Sequence, residues 1–102
     1  MNVYNAGFLT VVATGATITT SATSARVPIP VAADGQIPRF VRIAASQSAC
    51  VRLGNSTASA TAADLQVQPG DAVVLASLGN THIAAIQVTT AGVVQISPVE
   101  SI

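Results

Sequence analysis

No stretch of this chain repeats apolar residues at spacings of three and four over the length of a helix with caps to match. Short runs of Val, Ile, Leu and Thr alternate instead with Gly, Pro, Asp and Asn. β-Branched side chains are stiff at χ1 and fit a pleated surface, whereas the punctuating residues turn or break the backbone. The pattern predicts an all-β fold: a small antiparallel β-sandwich or barrel, jelly-roll or immunoglobulin-like, with an extended N-terminal segment. A parallel solenoid would need a fixed repeat, and none is present. The two Leu-Gly-Asn triplets, at 53–55 and 78–80, read as two similar strand exits. A chain of 102 residues supplies one domain rather than two. We divide it into an N-terminal arm or edge strands at 1–24 and a single β domain at 25–102.

The most informative stretch is 39–54, RFVRIAASQSACVRLG, which holds three of the four arginines. It reads as one β-hairpin. Val41 and Ile43 share one face of the first strand, with Phe40 and Arg42 on the other. Val51 and Leu53 share a face of the return strand, with Cys50 and Arg52 opposite. A turn centred on Gln47 would set Val41 against Leu53, Ile43 against Val51, and Arg42 against Arg52. Two like charges side by side are unfavourable unless an acid or a partner neutralises them. Arg42, Arg52, Phe40 and Arg39 are therefore the candidate interface residues. The plainer alternative is that each guanidinium swings into water while its stem covers Phe40 and the sheet.

The other segments follow the same logic. Residues 8–13 (FLTVVA) predict a first strand, broken by Gly15. The Thr-rich stretch 16–24 has Ile18 as its one large apolar side chain, and reads as an edge strand or as an arm ordered by neighbouring chains. Pro28 and Pro30 make 26–31 an edge or extended segment. Asp34-Gly35, Gln68-Pro69-Gly70-Asp71 and Gly79-Asn80 are turn signals, the second with the chemistry of a type II turn. Residues 56–63 (STASATAA) read as a flexible loop or a short strand against a neighbour. The run 72–76 (AVVLA) predicts a strand buried on both faces. A second hairpin is expected between 81–89 and 93–97, with Ile86 opposite Ile96, Val88 opposite Val94 and Gln87 opposite Gln95. Gly92 would take the positive φ of a three-residue loop. Pro98 would end the strand and leave 99–102 as a tail.

Composition narrows the function. Charged residues are 8% of the chain, against roughly 25% in an average domain, and the formal net charge is zero. Such a surface has little self-repulsion and tends to associate, which points to life inside an assembly. Four arginines without net positive charge give no electrostatic footprint for nucleic acid. No apolar run reaches the ~18 residues of a membrane span, and no basic start resembles a secretory signal. Cys50 is alone and reads as a small, partly buried hydrophobe. His82, the one histidine, shares a strand face with Ala84, Ile86 and Val88. It lacks the neighbours a metal site or a catalytic triad needs. Asp34, Asp64 and Asp71 are explained by turns, and no glycine motif cradles phosphate. We expect no catalytic residue, cofactor or metal.

From residue 24 onward the ordered features are S-A-R-V-P-I-P, P-R-F-V-R-I, A-C-V-R-L-G-N, A-S-A-T-A-A-D-L, Q-P-G-D-A-V-V-L, T-H-I-A-A-I and V-V-Q-I-S-P. This order resembles a group of small β-rich structural proteins encoded among the virion genes of tailed bacteriophages and prophages. The resemblance covers about the last three quarters of the chain. It implies a non-enzymatic virion component made in the host cytoplasm, of the size of proteins that decorate or cement capsids. A decoration protein would sit on the capsid exterior, with the major capsid protein as partner, as a homo-oligomer such as a dimer or trimer. A head-tail connector, a tail or fibre component, and a small lectin-like module are the alternatives.

Overall fold

A computed structural model describes residues 9–11 and 14–101. The described residues form nine strands and no helix: β1 (Leu9–Val11), β2 (Ala16–Thr19), β3 (Ala25–Pro28), β4 (Phe40–Ala45), β5 (Ala49–Gly54), β6 (Leu65–Val67), β7 (Ala72–Ala76), β8 (His82–Gln87) and β9 (Val93–Ser101). They make two antiparallel sheets. One has the order β1-β9-β4-β7, with β2 also paired to β9; the other has the order β3-β8-β5-β6. The architecture is a two-sheet sandwich rather than a closed barrel.

The expected alternation of faces holds, but the expected pairing does not. Val41 and Ile43 on β4, Val51 on β5, Ile83 and Ala85 on β8, and Val94 and Ile96 on β9 are buried together in one aliphatic core. Yet β4 pairs with β7 and β9, while β5 pairs with β6 and β8. Segment 39–54 is therefore an arch that crosses from one sheet to the other, not a hairpin. Segment 81–97 is a second arch, with β8 in one sheet and β9 in the other. Val41, Leu53, Ile43 and Val51 face the shared core from the two sheets, whereas Arg42 and Arg52 stand on opposite outer faces. The expected partners Ile86 and Ile96, and Val88 and Val94, do not meet. Ile83 and Ala85 are the β8 residues that enter the core, while Ile86 is on the outer face and Val88 is 43% exposed. A three-residue hairpin loop ends on a residue at positive φ, and among the described residues only Leu78, Gly35, Gly70 and Gly79 adopt it. Neither Gln47 nor Gly92 supplies the turn that a hairpin requires.

Gly92 is needed for space instead. A Cβ there would lie 2.8 Å from both the Gln47 Cβ and the Ser46 Oγ, because the two arch loops pack on each other. Thr20 ties this end together: its N–H and hydroxyl both donate to the Gly92 carbonyl, and the Gly92 N–H donates to its Oγ1. Ser46 and Val93 exchange two further bonds.

Of three more segments, the structure selects one of two readings at 16–19 and corrects the expectations for β7 and Pro98. Segment 16–19 is an edge strand of this same chain, and Ile18 enters the core. Of the two readings offered for 16–24, edge strand or arm, these residues take the edge strand: one well-placed Ile and a ladder to β9 order them within the chain, while residues 1–8, 12 and 13 lie outside the described residues. Strand β7 is not buried on both faces. It is the edge of its sheet, with Val73 and Leu75 turned to the core and Val74 42% exposed. Pro98 does not end β9, which continues through it to Ser101. The Ser46 N–H donates to the Val93 carbonyl, so Arg42 and Ser97 also form a hydrogen-bonded pair and position 98 faces away from β4. Its missing N–H falls between residues 93–96, paired with β2, and 99–101, paired with β1. Proline is tolerated where no ladder bond is lost.

Residues 55–64 lie over the outer face of the second sheet. The Ala60 N–H donates to the Ser24 Oγ across the sheet, and Ala60, Cys50 and Ala84 are buried beneath or within this stretch. Its small side chains allow that approach: a Cβ on Gly54 would lie 2.8 Å from that of Ala58.

Candidate binding surface

The structure distributes the four candidate interface residues over two surfaces. Phe40 and Arg42 alternate with Val41 and Ile43, so they stand on the outer face of the first sheet. Arg42 lies between Val74 on β7 and Ser97 on β9. The Arg39 guanidinium sits 5.8 Å from the centre of the Phe40 ring, within cation–π range. Arg52 belongs to the opposite face of the molecule, on the second sheet. Its Nε and Nη2 both lie 2.9 Å from the Asp64 Oδ1.

The Arg52–Asp64 pair is a clasp for the covering loop. Asp64 Oδ2 accepts from the N–H and hydroxyl of Thr61. The Thr61 N–H holds the Asp64 carboxyl below the ordinary carboxylate range; partial desolvation opposes this, and Arg52 lowers it further. Arg52 thus has its acid within the chain. Among the described residues this is the one ion pair, and Arg39 and Arg42 have no acid partner among them.

The first sheet also carries a feature the sequence reading passed over. The 77–80 turn joins β7 to β8. Leu78 takes φ +50° and Gly79 φ +81°, and the Asn80 N–H donates to the Ser77 carbonyl at 2.9 Å. Positive φ at both central positions is the type I′ pattern, where Asn-Gly is favoured. Leu at such a position costs roughly 1–2 kcal/mol. Leu78 is moreover 86% exposed, the most exposed large apolar side chain among those described. The turn is held rigidly: buried Ser77 donates its hydroxyl to the Pro38 carbonyl at 2.6 Å and its N–H to the Arg39 carbonyl at 2.9 Å.

Beside this tip is an open recess of about 510 Å³, walled by Ile37, Arg39, Phe40, Ala76 and the turn itself. A raised leucine, a shallow apolar recess and a ring-stacked arginine thus share one corner. Such a corner can bury apolar surface and accept an acid from a partner. Leu78 was legible through one signal, a leucine before Gly79 where a turn favours Asn, and nothing in the sequence marked Ile37.

Other chemistry-bearing residues do not gather here. His82 lies on the outer face of the second sheet, between Pro28 and Gly54, with Nδ1 2.8 Å from the Thr81 hydroxyl. Cys50 is buried on that sheet, its Sγ 3.9 Å from the Ala62 carbonyl. Among the described residues no three of His, Cys, Asp and Glu converge as metal ligands. The chain matches no protein family, curated protein or solved structure with which it was compared.

Proposed function

We propose that this protein is a non-enzymatic structural component of a tailed-bacteriophage virion, a decoration or cement protein that binds the outer capsid shell and joins neighbouring subunits. Leu78 carries the reading. Its side chain is exposed and its backbone is strained, and neither serves the core. Strain of this kind collects at binding positions. Burying a leucine fully is worth about 1.5–3 kcal/mol, enough to offset the left-handed backbone. The corner's one charged group is Arg39, which has no acid partner among the described residues and would suit a carboxylate on a shell protein. The resemblance from residue 24 onward supplies the virion context.

The mechanism is passive. Each copy covers a joint with apolar and backbone surface, and opening the shell must expose it again. Single contacts are weak, but many copies around a shell act together. Copy number in purified capsids tests this. A cement protein is present in hundreds of copies. Symmetry limits a connector ring to about a dozen, which would move the protein to the head-tail joint. Its absence from purified particles would overturn the virion reading.

A further inference from the structure

The free edge of β7 is built to pair with itself. From it we propose that two copies of this chain associate through antiparallel β7–β7′ pairing, joining their first sheets into one continuous sheet across a two-fold axis.

Edge strands in folded proteins are commonly blunted by proline, charge or shortness. The other edges here follow that rule. β3 ends on Pro28 with Pro30 just beyond, β6 has three residues, and β1 and β2 are short and separated. β7 has none of these protections. It is five residues, AVVLA, with no proline and no charge, and its outer flank has no partner strand among the described residues.

The direction of its backbone groups follows from one hydrogen bond. The Ser77 N–H donates to the Arg39 carbonyl, so Ser77 and Arg39 form a hydrogen-bonded pair. Such pairs alternate along an antiparallel ladder, so Val73 and Leu75 also bond to β4. The N–H and C=O groups of Ala72, Val74 and Ala76 therefore point away from β4, along the free edge.

The strand is nearly palindromic about Val74: Ala72 matches Ala76, and Val73 matches Leu75. Centred there, a two-fold pairing sets Val74 against Val74 of the second copy and Ala72 against Ala76. Every outward N–H then meets an outward C=O. Val73 would lie opposite Leu75 on the core side, extending the aliphatic layer. The charges also fit. Asp71 falls opposite Ser77 of the second copy, which neighbours that copy's Arg39. The Asp71 and Arg39 backbones are then about 10 Å apart, two strand spacings, within reach of the two side chains. The two Arg42 backbones are about 14 Å apart, beyond the screening length at physiological salt.

This pairing does not rest on the virion reading, and its test needs no capsid. Sedimentation of the purified chain across the micromolar range should show a monomer–dimer equilibrium. Val74→Pro removes an outward N–H that the β4 ladder does not use, and Val74→Glu sets two carboxylates against each other at the axis. Each should weaken the dimer at least about tenfold while leaving the circular dichroism of the monomer unchanged. Val74→Glu guards against misfolding by the proline. In the concentrated wild type, the amides of Ala72, Val74 and Ala76 should exchange slowly, and on dilution or in Val74→Glu quickly. A chain monomeric throughout that range, a dimer indifferent to both substitutions, or a dimer whose three amides still exchange quickly would each overturn the proposal.

Discussion

Arg42 and Arg52 point away from each other, from opposite outer faces of the sandwich. The hairpin register would have set them side by side. They are separated because β4 and β5 belong to different sheets, with the aliphatic core between them. Their surroundings differ accordingly: Arg52 is clasped by Asp64, whereas Arg42 stands between Val74 and Ser97 with no acid among the described residues.

Crosslinking distinguishes the arch from a hairpin. Facing sheets lie about 10 Å apart, too far for a disulfide. In a Cys50→Ala background, cysteines at 43 and 51 should remain reduced under mild oxidation. Cysteines at 42 and 74 should crosslink, because that pair on β4 and β7 is not hydrogen-bonded and its Cα atoms lie at about 4.5 Å. Crosslinking at 43 and 51 alone would restore the hairpin.

The Asp64 clasp gives stability a pH dependence. Its carboxyl is lowered in the folded state, so its contribution is present above the unfolded-state value and lost as pH falls through the folded-state value. Thermal denaturation followed from pH 7 down to pH 2 should show that loss below about pH 4. Asp64→Asn should melt earlier at pH 7 and lose less on acidification. An acid limb identical in the two proteins would remove the clasp as its source.

The two arginines should separate in mutagenesis. Arg42→Gln should leave folding stability within about 0.5 kcal/mol, the usual range for an exposed substitution. Arg52→Gln should loosen residues 55–64, seen as faster amide exchange at Ala60 and greater access of thiol reagents to Cys50. On capsids the order reverses. Arg42→Gln should weaken attachment by about 2 kcal/mol and reduce its salt sensitivity, if a shell carboxylate meets it. Unchanged attachment would leave the apolar corner as the only contact.

Leu78→Asn should uncouple stability from binding. Asn-Gly suits the type I′ turn, so the free protein should gain about 1 kcal/mol, a rise of several degrees in Tm. Attachment to capsids should fall because the exposed leucine is gone. A variant that melts lower would refute the strain at this tip, and one that binds as well as wild type would remove Leu78 from the site.

Much of the local detail was legible. Gly70 takes φ +87° and the Asp71 N–H reaches the Gln68 carbonyl, as the Gln-Pro-Gly-Asp turn predicts. Gly35 takes φ +81°, and Asp34 accepts from the Gln36 N–H. These are short-range effects of one or two residues on their own backbone. The binding corner was only half legible. Phe40 and Arg39 stood out as ring and charge at the start of a strand, but Leu78 looked like one of two equivalent strand exits. Leu53, in the matching triplet, packs on the core, and only the fold makes Leu78 different.

The sequence by itself determined the all-β class, most strand positions and, on β4, β5 and β9, which side chains turn inward, because alternation is a property of one strand and needs no partner. On β8 it is Ile83 and Ala85, not Ile86, that turn inward. Val41, Ile43 and Val51 are inward in a hairpin and inward in an arch. The tertiary structure alone decided which strands pair. Backbone hydrogen bonds are chemically alike at every position, so the choice between Leu53 and Leu75 as the neighbour of Val41 depends on closing distant segments around a shared core. That choice placed Arg52 on one face and Arg42 on the other, and left β7 at an edge.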